Sequence, residues 1–151
     1  MRRSKVDVYL HLVWGTFDRL PLVQPEIERR LYRNLVAEAR SCRCKVLAIG
    51  GTADHVHMVI KLAATVAVAV LLKQMKGVSS DFAREQLLHQ DYFKWHGGYS
   101  AFSVTRTHLS RVIEYVKNQK QHHADGTIHQ AWEEIDEEVT DDTDEFEDVE
   151  L

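Results

Sequence analysis

The sequence predicts an α+β fold in which an antiparallel sheet carries helices on its faces. Three observations point there: period-two stretches rich in β-branched and aromatic residues, stretches with apolar residues at helical spacing, and the order in which the two alternate. Residues 6–14 (VDVYLHLVW) alternate and read as a first strand. Pro21 and Pro25 punctuate a loop, and Pro25 suits the first turn of a helix in which Ile27, Leu31, Leu35, Val36 and Ala39 recur up to about Arg40. A short second strand is expected at 45–49, broken by Gly50-Gly51, with a third at 55–62.

Residues 66–86 read as a second helix, apolar at first and then basic, with Gly77 as an internal weak point. Residues 93–95 and 99–104 flank His96-Gly97-Gly98 and suggest a hairpin or bulged strand pair. Thr107 or Ser110 can cap a last helix running to about His123. The order β-α-β-β-α-β(β)-α is that of a ferredoxin-like (RRM-like) sandwich: two helices on one sheet face and a C-terminal helix free to cover the other.

At 151 residues the chain fits one domain with a substantial core. The longest apolar stretch, 63–72, is too short to cross a bilayer, and nothing at the N-terminus reads as a signal, so no membrane association is expected. Cys42 and Cys44 make neither a disulfide framework nor a zinc knuckle, which leaves a reduced, cytoplasmic protein as the expectation. The formal net charge of −4 hides an asymmetry. Residues 133–151 hold twelve of the 23 acids and no Lys or Arg, so residues 1–132 set eleven acids against 19 bases, a formal +8. A basic domain at 1–132 with an acidic tail at 133–151 suits a polyanion partner. The tail has too little apolar content to fold alone and reads as disordered; it serves solubility or competes with nucleic acid for the basic face.

Within the third strand, His55 and His57 point to one face while Val56, Met58 and Ile60 point to the other, into a core. Such a pair is either a seat for a divalent metal or two half-buried strand histidines. In the last helix Leu109, Val112, Ile113 and Val116 form an apolar stripe. Tyr115 and Gln119 stack at i, i+4, and His122 follows one turn later. If this helix lies near the third strand, Gln119 can add an amide oxygen to the two imidazoles. That set leaves positions open on an octahedral Mg²⁺ or Mn²⁺ for phosphate oxygens. The alternative is that Tyr115 and Gln119 decorate the polar face of an amphipathic helix.

These residues, His55-Val56-His57 followed by Tyr115-Val116-Lys117-Asn118-Gln119 and His122-His123, resemble the single-tyrosine HUH transposases, the small enzymes of simple bacterial insertion sequences and their REP-associated relatives. Residues 9–16 (YLHLVWGT) with Arg19, residues 71–77 (LLKQMKG) and residues 98–104 (GYSAFSV) are similar to that family in the same order. The likeness runs from about 6 to 123, and the acidic end departs from the family's pattern. The resemblance implies a single-stranded DNA nicking and joining enzyme. His55, His57 and Gln119 would hold the metal, and Tyr115 would attack the scissile phosphate to leave a 5′-phosphotyrosine and a free 3′-OH. Transesterification conserves bond energy, and no Walker-type loop is found. A phenol of pKa ~10 needs activation before it attacks. The resemblance also implies hairpin DNA at an element's end and a homodimer, with Tyr115 used in cis or in trans.

Arg2, Arg3, Arg19, Lys73, Lys76, Arg84, Lys94 and Arg106 are the candidates for phosphate contacts. Trp14, Phe17 and Trp95 can stack on bases or fill the core. His122 is an auxiliary candidate, while His123 reads as exposed, His11, His89, His96, His108 and His129 as surface or loop, and Glu114 as solvated. Rival readings are a non-catalytic RNA-binding module of the same topology, a replication initiator or relaxase, and a domesticated nickase acting on repeats. The first would present aromatics where this strand presents imidazoles.

Overall fold

The structure, a computed structural model, describes residues 3–87, 92–133 and 149–150. Arg2, His89 and all of the predicted tail except Glu133, Val149 and Glu150 lie outside the described residues. The elements are β1 (Tyr9–Gly15), α1 (Pro25–Ser41), β2 (Lys45–Gly51), β3 (His55–Lys61), α2 (Val68–Phe82), β4 (Ser100–Val104), α3 (Leu109–Lys117), α4 (Gln119–Asp125) and α5 (Gln130–Glu133). The sheet order is β2-β3-β1-β4, with every neighbouring pair antiparallel, which is the predicted ferredoxin-like arrangement.

Side-chain alternation splits the sheet into two differently used faces. Leu10, Leu12 and Trp14 of β1 and Val56, Met58 and Ile60 of β3 form one buried cluster with Ile27, Leu31, Leu35 and Ala39 of α1 and Leu71, Leu72 and Met75 of α2. On the other face a smaller cluster joins Ala48 and Val59 to Val112 and Val116 of α3. The apolar stripe of the last helix therefore packs where the sequence placed it, over the strand that carries the histidine pair.

Several local expectations are corrected. Gly50 and Gly51 do not break β2, which continues through both, with Gly50 opposite His57 and Gly51 opposite Val56. Residues 93–95 form no hairpin arm; Trp95 makes an isolated bridge to Thr16, and only Ser100–Val104 is a strand. Trp95 is buried instead, edge-on to Trp14 and Phe93, and its indole N–H donates to Ser79 Oγ at 2.8 Å. The second helix ends at Phe82 and passes into a π-turn at Ala83–Leu87 rather than running on as α-helix to Gln86. Neither Thr107 nor Ser110 caps α3; His108 holds the N-cap position, with its ring Nδ1 2.8 Å from Thr105 Oγ1. The last helix is also not continuous: Asn118 leaves helical geometry at φ −104°, ψ 26°, and Gln119 opens α4.

Gly50 shows why the glycines are there. A Cβ at this position would stand 2.0 Å from the carbonyl oxygen of Val116, so the α3 backbone rests directly on the β2 backbone. Val116 sits between Tyr115 and Lys117, and any side chain at residue 50 would lift this part of the helix. Gly50→Ala is expected to cost about 1–3 kcal/mol as an overpacking change, a melting temperature lower by several degrees in a thermal unfolding scan. An unchanged melting temperature would mean that the helix does not bear on β2.

Candidate active site

β3 presents His55, His57 and Val59 to the α3 side of the sheet, and both imidazoles are fully buried. Each ring is held from behind. His55 Nδ1 lies 2.7 Å from Asp54 Oδ1 and 2.9 Å from Thr52 Oγ1, and Arg19 Nη2 donates to Asp54 Oδ1 at 3.3 Å. His57 Nδ1 lies 2.7 Å from Nε2 of His11, a fully buried residue of β1. With Nδ1 engaged, both rings turn Nε2 toward the same point.

Three more groups reach that point. Gln119, buried at the start of α4, places Oε1 3.2 Å from His55 Nε2 and donates its amide N–H to the Tyr115 carbonyl at 3.4 Å. Glu133, from α5, sets Oε2 3.2 Å from His55 Nε2 and 3.1 Å from His57 Nε2. The Tyr115 hydroxyl donates to Glu133 Oε1 and accepts from the His129 backbone N–H at 2.9 Å. The Tyr115 ring lies 6.0 Å from that of His57, stacks on His122 at 4.7 Å and meets Trp132 edge-on at 5.0 Å.

The electrostatics follow from this crowding. Burial alone would raise the Glu133 carboxyl, but hydrogen bonds to His55 and His57 outweigh it and hold the group well below the usual carboxylate range. Burial pulls His55 down, yet the hydrogen bonds to Asp54 and Glu133 carry it above its ordinary value; in His57 burial wins and the shift is downward. Tyr115 is pushed up to about 12, first by desolvation and then by its hydrogen bond to Glu133, so the phenol keeps its proton at neutral pH.

The donor set fits a divalent cation. Once His55 and His57 carry their protons on Nδ1, the Nε2 lone pairs, Gln119 Oε1 and Glu133 Oε2 are all electron donors aimed at one spot. They repel one another unless a proton or a cation lies among them. The candidate ligand atoms of His55, His57 and Glu133 all lie within 4.8 Å of one another.

Of the predicted site residues, the structure brings His55, His57, Tyr115, Gln119 and His122 together within one chain. Three residues read as peripheral are corrected. His11 is buried behind His57; His123 is half-buried with its ring 4.8 Å from that of His55; and His129 supplies the backbone donor to Tyr115. Glu133, read only as the start of a tail, lies inside the site. The parity of β1 could have found His11, because Leu10, Leu12 and Trp14 take the core face and leave His11 on the histidine face. For Glu133 the signal was Trp132 beside it, an aromatic at the edge of an otherwise acidic run.

The predicted phosphate contacts divide. Lys73, Lys76 and Lys94 share a cavity of about 390 Å³ with Trp95 and Tyr99. Lys76 is half-buried there, pushed down to about 8 by burial, and donates to the Gly98 carbonyl at 2.9 Å. Lys94 stands 4.5 Å over the ring of Phe17. Arg19 backs Asp54, Arg84 is engaged by Asp81 and the Phe93 carbonyl, and Arg106 lies 3.7 Å from Asp7, so these three are not gathered with the lysines. Arg3 and Glu114 are exposed. Trp14 is fully buried, which makes it core rather than a stacking platform.

Fold and site together define a ferredoxin-like domain with a histidine-pair centre on the sheet face covered by α3. The sequence profile described as "Transposase IS200 like" matches residues 4–119, and the chain belongs to that family. The match spans β1 to Gln119 and so includes the histidine pair and Tyr115, while α5 and Glu133 lie beyond it. Among solved structures, a protein assigned as a transposase from Deinococcus radiodurans R1 is similar at 20% identity and TM-score 0.63, over 79% of this chain and 98% of that one. A REP-associated tyrosine transposase bound to a REP hairpin is similar at 10% identity and TM-score 0.61, over 85% of this chain and 74% of that one. No curated protein matches the chain. Family membership makes the protein a DNA-processing enzyme of the transposase class. No helix among the described residues is long and apolar enough to cross a membrane.

The Asp54 carboxyl is held at about 2, first by its hydrogen bond to His55, with Arg19 adding to it. A depressed carboxyl stabilises the fold above its unfolded pKa and stops doing so as pH falls through the folded value. The stability gap between the parent and Asp54→Asn should be full at pH 7 and close between about pH 4 and about pH 2. Urea unfolding midpoints measured across that range check this; a gap that does not depend on pH would remove the ion pair as its source.

Proposed function

We propose that the protein is a metal-dependent single-stranded DNA transposase/endonuclease that nicks and rejoins DNA through a 5′-phosphotyrosine, with Tyr115 as nucleophile and His55, His57 and Gln119 as metal ligands. The observation that carries the reading is the convergence, within one chain, of two fixed imidazole lone pairs, an amide oxygen and a phenol on one point. Membership of the transposase family and the fold shared with a hairpin-bound REP-associated transposase support it. By that analogy the substrate is a hairpin-bearing single strand and the partner a second copy of the chain, since exchange of two DNA ends calls for two tyrosines.

Mg²⁺ or Mn²⁺ held by His55, His57 and Gln119 would polarise the scissile phosphate and offset charge that builds on its oxygens. The residues do the rest. Tyr115 Oη attacks phosphorus, the P–O3′ bond breaks, and the phenol's proton is passed on to the departing 3′ oxygen. A 3′-OH returning to the phosphotyrosine reverses these steps. Asp54 and His11 hold the imidazoles so that Nε2, not Nδ1, would be the ligating atom. His122 stacks on the nucleophile's ring and limits its rotation.

Glu133 bears on this reading. Its carboxylate spans the histidine pair and the Tyr115 hydroxyl, the place that a phosphate between the metal and the nucleophile has to take. Competition between tail and DNA, expected at the basic face, is thereby moved to the site itself. The physical conflict is simple: two anions do not share one pocket.

Incubation with a labelled single-stranded hairpin and Mn²⁺ should yield a covalent adduct on a denaturing gel. Tyr115→Phe should lose the adduct entirely; persistence in that variant would move the nucleophile to Tyr92 or Tyr99. His57→Ala should lower cleavage by at least 100-fold while hairpin affinity, read by fluorescence anisotropy, changes less than about 3-fold. Glu133→Gln should cleave faster than the parent, and slower cleavage would make Glu133 part of the chemistry instead.

A further inference from the structure

α1 carries four arginines, and three of them gather on one side of the helix. Arg29, Arg33 and Arg40 lie four and eleven positions apart, which puts them on one helix face. With Glu28 among the lining residues, they border a groove of about 530 Å³ whose floor is apolar, made by Val36 of α1, Ile49 of β2 and the ring of Tyr32. A solvated helix face ordinarily mixes both signs of charge. Of the acids of α1, Glu28 pairs with Lys120 at 2.6 Å and Glu38 accepts from Gln74 at 2.9 Å, while Glu26 does not line the groove. None of the three arginines has an ion-pair partner among the described residues. The Tyr32 hydroxyl is buried without a hydrogen-bond partner among the described residues.

The groove's position ties it to the site. A Cβ on Gly51 would stand 3.0 Å from the Tyr32 hydroxyl, which puts the groove on the α1 face of the edge strand β2, one residue along from Gly50, the partner of His57, whose side chain takes the opposite face. Lys120, next to Gln119, reaches across to Glu28 at the same end. From Arg29 to Arg40 the helix advances about 16 Å, enough for several phosphates of one strand.

We propose that this groove is the track for the single-stranded flank of the DNA substrate: Arg29, Arg33 and Arg40 bind successive phosphates, and bases lie against Tyr32, Val36 and Ile49. The proposal rests on the reading of the site as one that acts on single-stranded DNA. An arginine wall over an apolar floor suits a polyanion with flat apolar faces, and a bare single strand offers both, whereas a duplex hides its bases. These arginines are distinct from the lysine cavity at Lys73, Lys76 and Lys94, which opens on the α2 side.

The test uses the full chain carrying Tyr115→Phe, so that no covalent trapping occurs, and a fluorescein-labelled 20-nucleotide single strand read by anisotropy. Replacing Arg29, Arg33 and Arg40 together by Gln should weaken binding on the order of 100-fold at 0.1 M monovalent salt. It should also flatten the log–log salt dependence by about 2, the signature of three lost phosphate contacts on a single strand. Tyr32→Ala should weaken binding by about 10-fold with an unchanged salt slope, because it removes stacking and no charge. Arg30→Gln, a neighbouring charge outside the groove, should change affinity less than 2-fold. A folded triple variant that binds the single strand as the parent does, or one that loses only duplex affinity, overturns the track. If that triple, with Tyr115 restored, still forms the covalent adduct at parental affinity, the track fails while the enzymatic reading stands. A parent chain with neither adduct nor single-strand binding sinks both.

Discussion

The contact of α3 with β2 at Gly50 governs the rest of this molecule. A helix normally stands off a sheet by the depth of its side chains, yet here the Val116 carbonyl comes within 2.0 Å of where a Cβ on Gly50 would be. Only glycine permits that approach. Because Gly50 is the register partner of His57, the close contact falls beside the histidine pair and not elsewhere along the strand. Tyr115 and Gln119 flank the contact point, so a backbone fact about one residue sets how far a phenol and an amide reach toward two imidazoles. The break at Asn118 serves the same end: it lets Gln119 open a new helix and turn its side chain inward, where it is fully buried.

The second constraint is electrostatic. A buried pocket holding two imidazoles, an amide oxygen and a carboxylate is costly unless each lone pair meets a proton or a cation. The structure controls the protons from outside. Asp54, with Thr52 and Arg19 behind it, engages His55 Nδ1, and His11 engages His57 Nδ1. His11 is itself driven down to about 3, chiefly by burial, so it stays neutral and can accept from His57 without adding charge. The two histidines are thus supported unequally, one by an anion and one by a neutral ring, and their opposite pKa shifts record that difference.

Most of this was legible in the sequence wherever periodicity governs the structure. Alternation in β1 and β3 fixed which residues enter the core, and the stripe Leu109, Val112, Ile113, Val116 chose the face of the last helix. The His55–His57–Gln119–Tyr115 grouping followed from spacing plus the assumption that the helix lies over β3. What was not legible depends on pairing between distant segments. His11 looks like any polar residue in a strand until β1 is set beside β3, when it becomes a diagonal neighbour of His57. Gly50-Gly51 reads as a break because local propensity cannot register a helix that arrives from the far end of the domain, at Val116. Trp95 reads as half of a hairpin because its core contacts, with Trp14 and Ser79, come from two other elements.

Composition misled most at the C-terminal end. Averaged over 133–151 the composition reads as a segment that does not fold alone, and that average conceals its first residue. A residue need not belong to a self-sufficient element to be held; it needs partners worth its lost entropy. Trp132 stacks on His129 at 4.1 Å and meets Tyr115 and His11 edge-on, and these aromatic contacts anchor the turn that delivers Glu133 to the histidines. One carboxylate of that acidic segment, Glu133, is therefore held against the histidine pair and the Tyr115 hydroxyl. Any anion that approaches the Tyr115 hydroxyl does so against a carboxylate already in position, and it must offer more than one charge, or further contacts along the surface, to prevail.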